Sequence, residues 1–154
     1  VGAGPFPSEV LDVDGDRVID IGKVYGSVTG RRRRAGWLDC VMLRQAVRLN
    51  RLTELALTKL DILDGFETIR ICTGYRLDGQ LLDHYPDRSD LLGGVEPVYE
   101  TLTGWGSVLS DTREPGELPD AARRFIEVVE REVGVPVRVV GVGAERDDYL
   151  VWAS

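Results

Sequence analysis

Long apolar runs are missing from this sequence of 154 residues. No stretch approaches the roughly 20 residues that a helix needs to cross a bilayer. No signal peptide is visible at the start, so a cytoplasmic protein without a membrane partner is expected. Cysteine is scarce: there are two, Cys40 and Cys72, each inside an apolar run. They read as reduced core residues, not as a disulfide framework or a metal site. Histidine is scarcer, with His84 alone. Without it neither a Ser-His-Asp nor a Cys-His set can be assembled. Its neighbour Asp83 invites a catalytic role, but a surface or packing histidine is the ordinary case. There is no Gly-x-x-x-x-Gly-Lys-Ser/Thr phosphate loop, no repeat and no low-complexity tract. Asp12-Val13-Asp14-Gly15-Asp16 begins like a calcium loop, but Lys23 and Val24 stand where the distal Glu is needed, which excludes that motif. The first residue is Val1, not Met, so a segment of a longer chain is expected.

What is present suits one globular domain, residues 1–154 without an internal boundary. Apolar residues make up 43% and charged residues 29%, enough for a real core. The net charge of −7 is unevenly spread. Residues 31–51 hold seven arginines and one acid, Asp39, a balance of +6 that leaves −13 on the remainder. Overall acidity disfavours a general nucleic-acid binder. A positive focus on a negative body suits a small anionic ligand.

That focus is Gly26-Ser27-Val28-Thr29-Gly30-Arg31-Arg32-Arg33-Arg34-Ala35-Gly36-Trp37. Four guanidiniums side by side repel one another unless anions or solvent separate them, and no acid adjoins the run in sequence. In an extended segment Arg31 and Arg33 face one way, Arg32 and Arg34 the other. One pair can then converge on a ligand while the other meets solvent or protein. Guanidiniums match carboxylate or phosphate oxygens as forks. Ser27 and Thr29 add hydroxyls, and Gly30 admits close backbone approach. A solvated basic loop is the ordinary alternative, and a nucleic-acid patch another.

Periodicity outlines the remainder. Residues 1–9 are irregular, a ligand-lining loop or a linker. A short helix or turn covers 17–23. A helix over 37–50 is apolar over much of its surface and expected to be largely buried. Glu54–Thr58 reads as a buried strand. Thr68–Tyr75 alternates as a strand, and Asp78-Gly79 turns it into a return strand over 81–85. Residues 95–102 are extended and 103–117 are loop. A second helix spans 119–133, with Pro119 at its start and Gly134 at its end. Strands over 135–141 and 149–152 close the chain. The alternation predicts an α/β layered fold, a mostly parallel sheet with flanking helices and a hairpin extension.

Two further loops follow apolar strands, where open α/β sheets bind ligands. In Lys59-Leu60-Asp61 a carboxylate can accept the ring N–H and exocyclic amine of guanine, an edge that adenine lacks. The Lys59 stem can lie over a purine face. A surface Lys–Asp pair is the plain alternative. In Gly141-Val142-Gly143 the glycines let backbone approach a flat base; a simple turn is the alternative.

Several motifs, in order, closely resemble the adenylosuccinate synthetase family. They are Val1-Gly-Ala-Gly-Pro-Phe-Pro7, Thr29-Gly-Arg-Arg-Arg-Arg-Ala-Gly-Trp-Leu-Asp39, Leu57-Thr-Lys-Leu-Asp-Ile-Leu-Asp-Gly65, Val95-Glu-Pro-Val-Tyr-Glu-Thr101 and Gly134-Val-Pro-Val137. The similarity covers essentially the whole chain and corresponds to the C-terminal portion of that enzyme, a P-loop-hydrolase-like fold. It implies a GTP- and magnesium-dependent ligase of AMP biosynthesis, cytoplasmic and homodimeric at full length. Such an enzyme joins L-aspartate to IMP and releases adenylosuccinate, GDP and phosphate. By resemblance, Ser27, Val28, Thr29, Gly30, Arg31, Arg32 and Arg33 form the aspartate loop. Arg31 also contacts IMP, and Arg33 also reaches GTP. Lys59, Leu60 and Asp61 hold the guanine, with Gly141, Val142 and Gly143 beside it. The family's phosphate loop and its catalytic Asp and His have no counterpart here, and the N-terminal portion is expected to hold most of the magnesium contacts. The 154 residues alone are therefore expected to be inactive. Two departures stand out: Val28 replaces a hydroxyl residue, and Gly141-Val-Gly-Ala-Glu-Arg146 replaces Ser-x-Gly-Pro-Asp-Arg. The competing expectation is a non-catalytic guanine-nucleotide- or RNA-binding module that uses the arginine loop.

Overall fold

The computed structural model describes residues 4–86 and 88–152. Val1, Gly2 and Ala3 of the Gly- and Pro-rich opening lie outside them. The fold is α/β and divides into two compact units. The first comprises the chain up to Val41 and Arg70–Glu100; the second comprises Met42–Ile69 and the chain from Thr101 onward.

In the first unit, α1 (Val13–Ile21) starts where Asp12 caps it, accepting the Asp14 N–H at 2.9 Å and the Gly15 N–H at 3.4 Å. Asp14 and Asp16 then lie at the positive end of the helix dipole. The helix therefore begins earlier than the expected 17–23, because its cap sets the start. The calcium-like aspartates are helix-starting residues. Leu38–Asp39 forms β1, parallel to β3 (Thr68–Leu77), with Leu38 opposite Ile71 and Asp39 opposite Cys72. α2 (Cys40–Asn50) follows directly, and from Met42 on it belongs to the second unit. Asp39 is extended rather than in the helix's first turn. Its Oδ1 accepts the Val41 N–H at 3.0 Å, and its Oδ2 accepts the Tyr75 hydroxyl at 2.6 Å. β3 turns through Asp78 (φ 49°) and Gly79 (φ 80°) into β4 (Gln80–Leu82). Two left-handed residues are what a two-residue hairpin requires. β5 (Glu96–Thr103) also pairs with β3. Val41, Cys72, Tyr75 and Leu92 form the buried centre of this unit.

The expectation that α2 is largely buried fails. Only Cys40 and Val41 are buried, while Met42 is 39% and Leu49 68% exposed. Its apolar residues spread around the helix instead of forming one stripe.

In the second unit, α3 (Asp120–Val133) does carry such a stripe: Ala122, Phe125, Ile126, Val129 and Val133 are all buried. Gly134 (φ 79°) ends it in the left-handed conformation. β6 (Val137–Gly141) is flanked by β2 (Leu55–Leu57), parallel to it, and β7 (Tyr149–Val151), antiparallel. As the edge strand, β2 has Leu55 and Leu57 half-buried and Ala56 exposed, so it is not the buried strand expected. Each sheet thus mixes parallel and antiparallel pairs. No helix among the described residues is long and apolar enough to cross a membrane.

Burial lifts the Cys72 thiol from its ordinary 9.0 to about 12, and the Asp39 carboxylate adds to the rise. The Tyr75 hydroxyl is raised by burial and then by its bond to Asp39. Folding keeps such groups protonated while the unfolded chain lets them ionise. Their stabilising contribution is full below the unfolded pKa and declines as pH rises through the folded one. Stability is therefore expected to fall between pH 9.0 and about 12. Cys72→Ala should flatten that slope by about one proton. Urea titrations across the window measure this; equal slopes in parent and variant would refute it.

Candidate functional site

The arginine run forms one arm of a tight hairpin in the first unit. Arg33 N–H donates to the Val24 carbonyl at 3.0 Å, Tyr25 bridges Arg32, and Gly26 N–H donates to the Arg31 carbonyl at 2.8 Å. The tip is Ser27-Val28-Thr29-Gly30. It closes through Gly30 N–H to the Gly26 carbonyl at 2.8 Å and through left-handed Gly30, φ 64°. Thr29 Oγ1 accepts the Arg31 N–H at 3.3 Å. All seven residues from Ser27 to Arg33 are exposed. Val28 is 95% exposed at the apex, where it offers no polar side-chain group.

The four arginines are not equivalent. Arg32 forms an ion pair with Asp16 of α1. The next turn of that helix places Asp20 to accept the Tyr25 hydroxyl at 3.0 Å, which raises the Tyr25 pKa. Arg34 pairs with Glu9. The run is therefore not free of acids, as its sequence neighbours suggest: α1 and the Phe6–Val10 segment bring two to it. Arg31 and Arg33 are exposed and make no side-chain hydrogen bond or ion pair among the described residues. Nothing in the local sequence marks Glu9 or Asp16 as partners, because they stand 25 and 16 residues away.

In the second unit, the loops proposed to read guanine lie at the carboxyl ends of two adjacent parallel strands. Leu57 of β2 registers with Val140 of β6, so Lys59–Asp61 and Gly141–Gly143 leave the sheet side by side. Gly141 is packed so closely that a Cβ there would sit 3.3 Å from Thr58 Cα. Lys59 is left-handed (φ 61°, ψ 38°) and opens a 3₁₀ turn over Leu60–Leu63. Leu60 is buried and anchors that turn. Asp61 Oδ1 is buried and has no hydrogen-bond partner among the described residues. Its neighbour Asp64 is fully engaged, accepting Trp105 Nε1–H at 2.7 Å and the Leu109 N–H at 2.9 Å. Burial raises the Asp64 pKa, and those two bonds pull against it. The second loop is braced by Asp148. Its carbonyl accepts the Val142 N–H at 2.9 Å, and its Oδ2 accepts the Glu145 N–H at 2.9 Å. Asp148 was not singled out in the sequence, and only its position at the loop's end could have suggested it.

His84 lies beyond β4, exposed beside Asp83, with Nδ1 3.0 Å from Asp83 Oδ1. It is a surface residue. Cys40 and Cys72 are free and buried.

Residues 1–150 match the sequence model of the adenylosuccinate synthetase family. The adenylosuccinate synthetase of Pelobacter propionicus is 49% identical over 151 residues, covering 98% of this chain and 35% of that protein. The enzyme of the same name from Halothermothrix orenii is 50% identical over 150 residues, 97% of this chain and 35% of its own length. A solved structure of fully ligated adenylosuccinate synthetase from Plasmodium falciparum superposes with a TM-score of 0.94 at 36% identity, over 99% of this chain and 37% of that one. The chain thus spans about a third of the length of the curated relatives it matches. With its fold, motif order and sequence all in agreement, the chain belongs to the adenylosuccinate synthetase family.

Proposed function

We propose that this chain supplies the aspartate loop and the guanine-reading loops of an adenylosuccinate synthetase. The full-length enzyme would use GTP to phosphorylate the 6-oxygen of IMP. The aspartate amine would then attack C6 of the purine, the C–N bond forming as the C6–O bond breaks, with phosphate leaving and the amine giving up a proton. In this scheme the Arg31 and Arg33 forks bind the carboxylates of aspartate, and Arg31 also reaches IMP. Arg32 keeps its place in the aspartate loop through Asp16, beside Ser27, Val28, Thr29 and Gly30. With Val28 at the apex, polar contact there comes from backbone and from the Thr29 hydroxyl. Arg33 extends to GTP. Asp61 accepts the two N–H groups of guanine, the Lys59 stem covers the base, and backbone at Gly141, Val142 and Gly143 lies against it.

The observation that carries the reading is the division of the arginines. Two are neutralised by protein acids and two are left to a ligand. That suits a small dicarboxylate better than a polyanion such as RNA, whose affinity grows with the number of phosphates neutralised. Among the described residues no three His, Cys, Asp or Glu side chains converge as a metal set. In the same proposal, magnesium is held mainly by the N-terminal portion of the full-length enzyme. A homodimeric, cytoplasmic enzyme is part of the same proposal.

Arg31→Leu in the full-length enzyme is expected to raise the aspartate KM by about tenfold or more, the loss of a charge-assisted contact. Aspartate saturation at fixed IMP and GTP measures it. An unaltered curve would remove Arg31 from the site.

A further inference from the structure

We infer that Glu9 is a positioning residue for the aspartate loop, and that Arg34 acts on Glu9 rather than on a ligand. The inference rests on the reading of Ser27–Arg33 as the aspartate loop. The Glu9 carboxylate takes Arg34 Nε at 2.7 Å and Nη2 at 2.5 Å, fork against fork. Side-chain exposure is 34% for Arg34 and 18% for Glu9, against 49% and 64% for Arg32 and Asp16. Solvent therefore screens the Arg34 pair less. The Arg34 guanidinium is also held by the 4–10 side of the contact: Nη1 donates to the Gly4 carbonyl at 2.7 Å, and the Phe6 ring lies 5.4 Å from its centre. The guanidinium holds the Glu9 carboxyl below its usual range, so the pair stays charged at neutral pH.

The backbone on either side is fastened to the same segment. Val10 N–H donates to the Ala35 carbonyl and Trp37 N–H to the Ser8 carbonyl, each at 3.1 Å. Glu9 bridges Gly36. Arg33, next in the chain, is pinned on its other side to Val24. Consecutive side chains of an extended strand point to opposite sides. Turning Arg34 toward Glu9 therefore turns Arg33 away from it, toward the ligand side. The Gly-Pro-Phe-Pro-Ser-Glu segment is thus no plain linker but the clamp that sets the arginine register.

The test compares Glu9→Gln, Arg34→Gln and the double variant in the full-length enzyme, with Arg31→Leu alongside. Each single variant is expected to raise the aspartate KM on the order of tenfold, as misplacement of a binding group does. The GTP KM should change less. The double variant should be no worse than the worse single one, because both break the same contact. Additive losses, or an Arg34→Gln effect far above that of Glu9→Gln, would place Arg34 on a ligand and overturn the inference. A lowered melting temperature with all three KM values unchanged would reduce the pair to a structural role and overturn it too. If Arg31→Leu leaves the aspartate KM unaltered, the loop reading itself fails. If Arg31→Leu raises it and Glu9→Gln does not, only the clamp fails.

Discussion

Gly36→Ala is expected to destabilise the protein by roughly 2–5 kcal/mol, the sum of overpacking and of two lost backbone hydrogen bonds. The methyl group would sit 2.2 Å from the Ser8 carbonyl oxygen, 2.8 Å from the Ser8 carbonyl carbon and 2.8 Å from Phe6 Cζ. Two of those three atoms are backbone, so no rotamer relieves the clash. The strands must part, and the bonds from Trp37 to Ser8 and from Val10 to Ala35 flank the point where they do. Trp37, buried at 6% exposure, would be opened to water. The aspartate KM should rise as well, because the Glu9–Arg34 pair bridges the same two segments. Gly106→Ala is the control: nothing lies within 4 Å of a Cβ there, so it should stay within about 0.5 kcal/mol of the parent. Calorimetry of both variants measures the difference. A Gly36→Ala protein as stable as the control would mean that Phe6–Val10 is not seated on the arginine strand.

Why the sequence declared some of this and not the rest follows from range. α3 was legible because its stripe, Pro119 and Gly134 all lie within one helix. The β3–β4 turn was legible because Asp78-Gly79 needs only its own backbone preferences. The two loops proposed to read guanine could be placed at strand ends because apolar strands lead into both. The start of α1 was misplaced because the cap at Asp12, not the apolar spacing, decides it. The burial of β2 was misjudged because an edge position is a property of the sheet and not of the strand. The four arginines show the limit most clearly. Alternation divides them into pairs, but which pair meets protein depends on Glu9 and Asp16, brought from far along the chain by the fold.

The same division of labour governs the acids of the turn proposed to read guanine, and it makes Asp61→Asn the sharpest test of that proposal. Asp64 is consumed by Trp105 and Leu109, and Asp61 keeps a buried oxygen with no donor among the described residues. An unmet buried acceptor costs about 1–3 kcal/mol, and a ligand donor recovers it on binding. Guanine brings two such donors on one edge, a ring N–H and an exocyclic amine. Asn keeps the shape of Asp61 but lacks its charge and turns one acceptor into a donor that faces another donor. GTP affinity in the full-length enzyme should fall by about 1–3 kcal/mol, roughly 5- to 150-fold. The aspartate and IMP KM values should hold. ITP, which has the ring N–H but no exocyclic amine, should lose less, so the preference for GTP over ITP narrows. Thermal stability should be unchanged, because Asn keeps the size of Asp61 and no hydrogen bond to Oδ1 is lost among the described residues. Nucleotide titrations with GTP and ITP, together with a melting curve, read all three effects. Unchanged GTP affinity, or equal losses for both nucleotides with a lowered melting temperature, would show that Asp61 holds up the turn and reads no base.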